Sequence, residues 1–148
     1  MPHPIMFSDD DPGLAELRRI ALDLPGAFEK ISHGRPSFCV PTMFAIYGGN
    51  IKVPTDAQRR WADSATTRTG MITVPHCVLM KVDPAERPAL EQDSRFFHPA
   101  YVGPFGWLGL NFDAAPVDWT EVAELVDASY RLTAAKRLIK QLDDQSST

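Results

Sequence analysis

Basic side chains near the end of the chain are the residues whose type and spacing best suit a binding function. Arg131, Lys136, Arg137 and Lys140 lie in one segment that contains no acidic residue. On an α-helix, Lys136 and Lys140 share a face and Arg137 lies beside Lys140, because residues three or four positions apart are neighbours. Such a group of cations could neutralise the phosphates of DNA or of another polyanion.

A second basic region could extend this surface. Residues 31–70 carry five cations against two acids, namely Arg35, Lys52, Arg59, Arg60 and Arg68 against Asp56 and Asp63. If the two regions meet after folding, they form one positive strip that Arg35 and Lys81 would help to complete, and Tyr101 or Trp107 could stack on bases. The alternative is an ordinary solvated helix and loop, since charged side chains lie on surfaces whether or not they bind anything.

The segment from residue 96 to residue 107 offers a different kind of site. It interleaves aromatic residues with glycine and proline, namely Phe96, Phe97, Tyr101, Phe105 and Trp107 with Pro99, Gly103, Pro104 and Gly106. Aromatic rings in such a loop either contact a ligand or cover a hydrophobic core. The alternative function is therefore a small-molecule pocket between a sheet and residues 98–107, lined by Lys81, Tyr101, Trp107 and Tyr130.

Catalytic and metal-binding motifs are absent from the sequence. His33, His76 and His98 are widely separated, and the chain has neither a CxxC nor an HExxH motif. The pair Gly48-Gly49 lacks the spacing of a phosphate-binding loop. We therefore expect a binding protein without catalytic residues, metal or cofactor.

The cysteine content points to a reducing environment. Cys39 and Cys77 are too few for a disulfide framework, so we expect two buried, reduced thiols in a cytoplasmic protein. A catalytic pairing of either thiol with a histidine stays open. The chain has no secretory signal pattern and no apolar run long enough to cross a bilayer, so we expect no membrane association.

Length and composition are those of one globular domain. The chain has 148 residues, of which 44% are hydrophobic and 23% are charged. A chain of this size can bury an adequate core without disulfides or metals. Its formal net charge of −4 argues against a protein that binds nucleic acid with its whole surface, although a local basic patch is compatible with it.

Periodicity and capping signals predict an α+β domain over residues 1–148. Helices are predicted at 11–24, from Asp83, and from Asp118 with a bend at Leu132-Thr133; strands are predicted at 27–32, 37–40, 42–47, 71–82 and 107–112, with a turn at Gly34-Arg35-Pro36. Helices at both ends of an antiparallel sheet imply a two-layer architecture. We expect flexible ends at 1–10 and 143–148, a long loop at 50–70 and a loop at 94–106.

Three ordered blocks of sequence resemble the MmcQ/YjbR-like proteins. The first comprises LPG at 24–26, SHGRPSF at 32–38 and MFA at 43–45; the second, KVDPAER at 81–87 and YVGPFGWLGL at 101–110; the third, DW at 118–119 and SYRLTAAKRL at 129–138. The resemblance covers roughly residues 12–142. The chain departs from the family pattern at residues 50–70, which look longer than the usual hairpin, and at Ala135, where proline is common.

The resemblance implies a small fold in which a strongly curved antiparallel sheet packs on helices. The family is often labelled DNA-binding because of a double-wing shape, which is an analogy of fold and not of site. Our leading interpretation is thus a non-catalytic protein that binds DNA or another polyanion. The small-molecule pocket is the second, and a protein-interaction module that uses a strand edge or the C-terminal helix is the third.

Overall fold

The computed structural model describes residues 4–51 and 72–146 of the chain. Along the sequence the elements are α1 (Leu14–Leu22), β1 (Phe28–Ser32), β2 (Arg35–Cys39), β3 (Met43–Ile51), β4 (Ile72–Lys81), α2 (Arg87–Glu91), β5 (Phe96–Phe97), a 3-10 turn (Gly103–Phe105), β6 (Trp107–Asn111), α3 (Trp119–Arg131) and α4 (Lys136–Ser146). The predicted α+β class, with helices at both ends of an antiparallel sheet, is confirmed.

The six strands form one antiparallel sheet in the order β1-β2-β3-β4-β6-β5. The register shifts between Phe38 and Cys39 and again between Tyr47 and Gly49. Such irregularities increase the local twist and bend a sheet. The curvature that the resemblance implies is therefore present in the strand pairing.

The segment after β5 folds back over the sheet. Ile51 at the end of β3 forms a bridge with Pro99, and the amide of Ala100 donates to the carbonyl of Asn50 at 2.7 Å. The other end of the sheet stays open, because β1 pairs only with β2 in the described part of the chain. The sheet therefore has an open edge at β1, whereas the segment after β5 curls back and contacts the end of β3.

One face of the sheet carries the helices. Leu14 and Leu17 of α1 and Val122 and Val126 of α3 are completely buried, since their spacing of three or four residues places each pair on one side of its helix. The strands contribute alternate residues to the same core, among them Phe38, Tyr47, Val78, Met80, Leu108 and Leu110. The predicted inward face of β6, formed by Leu108, Leu110 and Phe112, is confirmed.

Side chains at both ends fix α3 to its neighbours. At its start, the Asp118 carboxylate accepts hydrogen bonds from the amides of Thr120 (3.0 Å) and Glu121 (3.2 Å), as the sequence predicts. Near its end, the buried Ser129 hydroxyl accepts from the amide of Lys81 at 2.9 Å and donates to the carbonyl of Phe44 at 2.6 Å. One hydroxyl therefore joins α3 to both β3 and β4.

The opposite face of the sheet buries a second apolar cluster. It contains Ile46, Ile51, Ile72, Val74, Cys77, Leu79, Phe97 and Trp107, with Met43 and Val102 packed against it. Gly109 of β6 provides the room for Phe97, because a Cβ at this glycine would overlap the Phe97 ring. We call this side of the sheet the far face.

Four local predictions are wrong, and one of them is the start of the helix predicted from Asp83, which begins only at Arg87. Arg35 and Pro36 do not form a turn but begin β2; the turn consists of His33 and Gly34, both with positive φ (53° and 79°), a conformation that suits a two-residue hairpin loop. The predicted loop at 94–106 contains β5, which is only two residues long. The strand at 42–47 does not stop at Gly48-Gly49 but runs to Ile51.

Residues near both chain ends take part in the described fold. The amide of Met6 donates to the carbonyl of Gly34 at 2.9 Å, and residues 143–146 belong to α4. Mobility of residues 1–10 and 143–148 stays a prediction. The long loop expected at 50–70 lies outside the described residues from residue 52 onward. None of the helices in the described ranges has the length and apolar character needed to cross a bilayer.

Gly109→Ala should destabilise the fold by about 1–3 kcal/mol, because the added methyl group overpacks the far face against Phe97. Urea unfolding of the two chains measures the difference. Phe97→Leu in the same chain should remove part of the clash, so the double variant should lose less stability than the two single variants together. Strict additivity would contradict the proposed overlap.

Ser129→Ala should cost about 2 kcal/mol, because it leaves the amide of Lys81 and the carbonyl of Phe44 buried without this partner. Ser32→Ala is the matched control, since the Ser32 hydroxyl contacts the exposed neighbour His33. Equal unfolding midpoints for the two variants would show that the Ser129 hydroxyl does not hold α3 on the sheet.

Candidate anion-binding surfaces

The exposed face of α4 presents three cations. Lys136, Arg137 and Lys140 are all exposed, and no carboxylate of the described residues forms an ion pair with any of them. Arg137 and Lys140 lie on an open, nearly flat part of the α4 surface together with Gln141, Asp144 and Gln145. The structure therefore brings together three of the predicted site residues, with one acid nearby.

Arg131 differs from these three, although it lies close to them in sequence. Its guanidinium contacts Asp127 of α3 at 2.6 Å and Asp143 of α4 at 2.9 Å. Both carboxylates raise the pKa of Arg131, with Asp143 contributing most. The charge of Arg131 is already compensated, so its geometry is that of a brace between the two helices.

Other arginines of the chain are compensated in the same way. Arg18 forms two-pronged hydrogen bonds with Glu29, at 3.0 Å for each prong, and also contacts Asp9. Arg95 lies between Asp93 (2.6 Å) and Glu121 (2.8 Å), and both raise its pKa. Lys136, Arg137 and Lys140 thus stand apart from the arginines that serve the fold.

Arg35 lies on the other side of the molecule from α4. In β2 it shares the far face with Ser37 and Cys39, whereas Leu138, Ile139 and Leu142 attach α4 to the core beneath the helices. The structure does not bring Arg35 to the α4 cations. The other cations of the expected strip, namely Lys52, Arg59, Arg60 and Arg68, lie outside the described residues.

Only part of the predicted small-molecule site comes together. Lys81 and Trp107 are directly paired across β4 and β6, and Trp107 belongs to the far-face cluster. Tyr101 is 74% exposed and adopts a left-handed backbone conformation with φ 69°. Tyr130 is completely buried on the helix side, where its hydroxyl donates to the carbonyl of Pro25 at 2.6 Å. Tyr130 therefore does not meet the other three residues.

The edge strand β1 is one of the two surfaces that a protein-interaction module would use. Its side chains Phe28 and Ile31 are 45% and 53% exposed. Between them lie Glu29, held by Arg18, and the exposed Lys30. Protein interaction through this edge stays a prediction.

The histidines form separate contacts. The Nδ1 atom of His76 lies 2.8 Å from Asp113, and the Nε2 atom of His98 lies 3.1 Å from Glu91. Nowhere in ranges 4–51 and 72–146 do three or more His, Cys, Asp or Glu side chains gather in a way that could hold a metal ion.

The two thiols are free and buried, as predicted. Burial raises the pKa of Cys39, and it raises the pKa of Cys77 to about 12. The Sγ atom of Cys77 donates to the carbonyl of Val74 at 3.4 Å. Since the thiolate is the nucleophilic form, this environment suppresses reactivity near neutral pH.

Two polar features of the far face and its edge are not predicted by the sequence patterns. The Arg35 guanidinium lies beside Gly48, so that a Cβ at this glycine would overlap its Nη1 atom. The side-chain oxygen of Asn50 is buried and has no hydrogen-bond partner among residues 4–51 and 72–146. The pair Gly48-Gly49 is the sequence signal for the Arg35 contact, because glycine lets another group approach the backbone closely.

Comparison with known proteins gives one match. A family model described as YjbR matches residues 22–132. No curated protein matches the chain. No solved structure matches it either.

Native protein should react with 5,5′-dithiobis(2-nitrobenzoate) at pH 8 far more slowly than unfolded protein, which should release two equivalents at once. The reason is that only about one in ten thousand Cys77 side chains is a thiolate at a pH four units below its pKa. Absorbance at 412 nm with and without guanidinium chloride measures the ratio. Rapid labelling of the native chain would contradict the buried placement of the thiols.

Proposed function

The chain belongs to the YjbR family, and from this premise we propose that it is a non-catalytic binding protein whose α4 face takes a polyanion, with DNA as the leading case. The family match itself does not specify a ligand. The proposal depends on the surface chemistry of α4. A cytoplasmic location, as expected from the sequence, would give the protein access to nucleic acid.

The single observation that supports this function is the contrast between two sets of cations. Arg18, Arg87, Arg95 and Arg131 each form an ion pair with a carboxylate. Lys136, Arg137 and Lys140 have no such partner in the part of the chain that the structure describes, and all three are exposed. Uncompensated positive charge on one helix face attracts an anion more strongly than the same number of paired charges.

Spacing on α4 suits a phosphate chain. Lys136 and Lys140 are about 6 Å apart along the helix axis, at about 1.5 Å per residue. Since each DNA strand carries one phosphate per about 3.4 Å of duplex axis, these two flexible side chains can contact different phosphates of one strand. Arg137 completes the group between them and can bind phosphate oxygens with two parallel donors.

The rest of the protein limits the strength of this binding. The net charge of −4 opposes the approach of a polyanion outside such a patch, and Asp144 lies on the same part of the α4 surface as Arg137 and Lys140. We therefore expect weak binding that is positioned by phosphates and independent of base sequence. Three phosphate contacts predict a log–log salt slope of about −2.7, so affinity falls about 40-fold between 50 and 200 mM salt.

Replacing Lys136, Arg137 and Lys140 together by glutamine should weaken binding to a fluorescein-labelled 24-base-pair duplex at least about 10-fold at 50 mM salt. It should also reduce the salt slope by about two to three units, because three counterion-releasing contacts are lost. Fluorescence anisotropy at several salt concentrations measures both quantities. Lys30→Gln and Arg19→Gln serve as controls, since both cations are exposed but lie on β1 and α1.

Two results would refute this function. One is the absence of binding to single- and double-stranded DNA and to heparin at 20 mM salt. The other is a triple variant that binds like the wild-type chain while a control variant does not. Circular dichroism of each variant verifies that the fold is intact.

A further inference from the structure

Arg35 is the most deeply buried cation among the described residues. Only 9% of its surface is exposed. Its neighbours in β2 are also buried, including Ser37 and Cys39 on the same face at 0% exposure. The guanidinium extends from β2 across Gly48 of β3, where the missing Cβ makes room for it.

The structure provides no anion for this charge. Within residues 4–51 and 72–146, no carboxylate forms an ion pair with Arg35, and no carbonyl accepts a hydrogen bond from its guanidinium. The Cys77 thiol is the nearby group that could carry a negative charge towards Arg35. At pH 7 this thiol is neutral, because burial raises the pKa of Cys77 to about 12. Desolvation lowers the pKa of Arg35 itself.

This arrangement is unfavourable for the fold alone. A buried charge costs free energy unless hydrogen bonds and an opposite charge compensate for it. Each of the paired arginines described above has that compensation from one or two carboxylates. The guanidinium of Arg35 has five N–H donors in one plane. Two of these donors can form parallel hydrogen bonds with two oxygens of one anion.

We propose that Arg35 is the anchoring residue of a site on the far face of the sheet for a small molecule that carries one oxyanion, either a carboxylate or a phosphate monoester. The anion binds in the plane of the guanidinium above Gly48, and the guanidinium donates two parallel hydrogen bonds to it. The apolar cluster of the far face lies next to this position, because its member Cys77 contacts the backbone of Gly48, and this surrounding favours a ligand whose remainder is apolar.

This site is distinct from the polyanion surface on α4. It lies on the opposite face of the sheet, it uses one buried guanidinium in place of three exposed cations, and it holds one head group. Its binding should therefore be less sensitive to salt than that of the α4 patch, because buried charges are screened less than exposed ones. Either site can exist without the other.

The test is thermal unfolding of the full chain with four probes at constant ionic strength: inorganic phosphate, phenyl phosphate, acetate and benzoate, each at 20 mM. At least one probe should raise Tm of the wild-type chain by about 3 °C or more. The phosphate and carboxylate pairs decide which head group is bound, and phenyl phosphate or benzoate should exceed its small counterpart because of the apolar border.

Arg35→Met should abolish this shift, whereas Arg19→Met, which removes an exposed cation, and the triple glutamine variant of α4 should retain it. In the absence of probe, Arg35→Met should be at least as stable as the wild-type chain, because an apolar side chain replaces a buried charge that has no partner. A wild-type Tm that no probe changes, or a shift that persists in Arg35→Met, would overturn the proposal.

Arg35→Lys provides a second readout that does not depend on Arg35→Met being folded. Lysine keeps the charge but lacks the fork, so the affinity for the best probe should fall about fivefold or more. A ¹H–¹⁵N titration with that probe should move the amide signals of Gly48 and Cys77 in the wild-type chain. Equal affinity of the two chains, or unmoved Gly48 and Cys77 signals, would likewise exclude Arg35 as the anchor.

Discussion

The buried hydroxyl of Ser129 is the interaction on which the arrangement of the surface depends. It accepts from Lys81 and donates to Phe44, so α3 is fixed to two strands at once. Tyr130, the next residue, ties the same end of α3 to Pro25 after α1. Arg131 then joins α3 to α4 through Asp127 and Asp143. Together with the apolar residues that attach α4 to the core, these three consecutive side chains position α4 and thereby its cations.

A sheet with two buried faces imposes a second constraint. One face is covered by helices, and the other buries its own apolar cluster. Large side chains on the far face need room that only glycine provides, as Gly109 does for Phe97 and Gly48 does for Arg35. The difference between the two pairs lies in chemistry. A ring in such a position gains from burial, whereas a guanidinium loses hydration, and no carboxylate of the described residues compensates for that loss at Arg35.

Strong local signals made much of the fold predictable. Alternation along β6 gave its inward residues Leu108, Leu110 and Phe112, and the Asp118 capping box gave the start of α3. The two-residue strand β5 has too few residues to show a period, and the hairpin turn at His33-Gly34 was hidden by a proline that in fact lies in β2. Periodicity indicates which residues share one face of a helix or strand. It does not indicate which residues from distant parts of the sequence pack against that face.

The same limit explains the result for the candidate sites. The cations of α4 share a face because of helical spacing, which sequence contains. The compensation of Arg131 by Asp143 depends on the angle between two helices, and the isolation of Arg35 depends on a glycine in another strand. Neither can be read from spacing. Membership of the family implies the architecture but specifies neither of these sites.

The free edge at β1 has a consequence for the protein in concentrated solution. Open strands invite the addition of another strand, and repeated addition leads to aggregation. At this edge the ion-paired Glu29 and the exposed Lys30 occupy the middle of a five-residue strand, between Phe28 and Ile31. A second copy that docked here would have to accommodate these charges. These charges oppose the addition of a further strand at this edge.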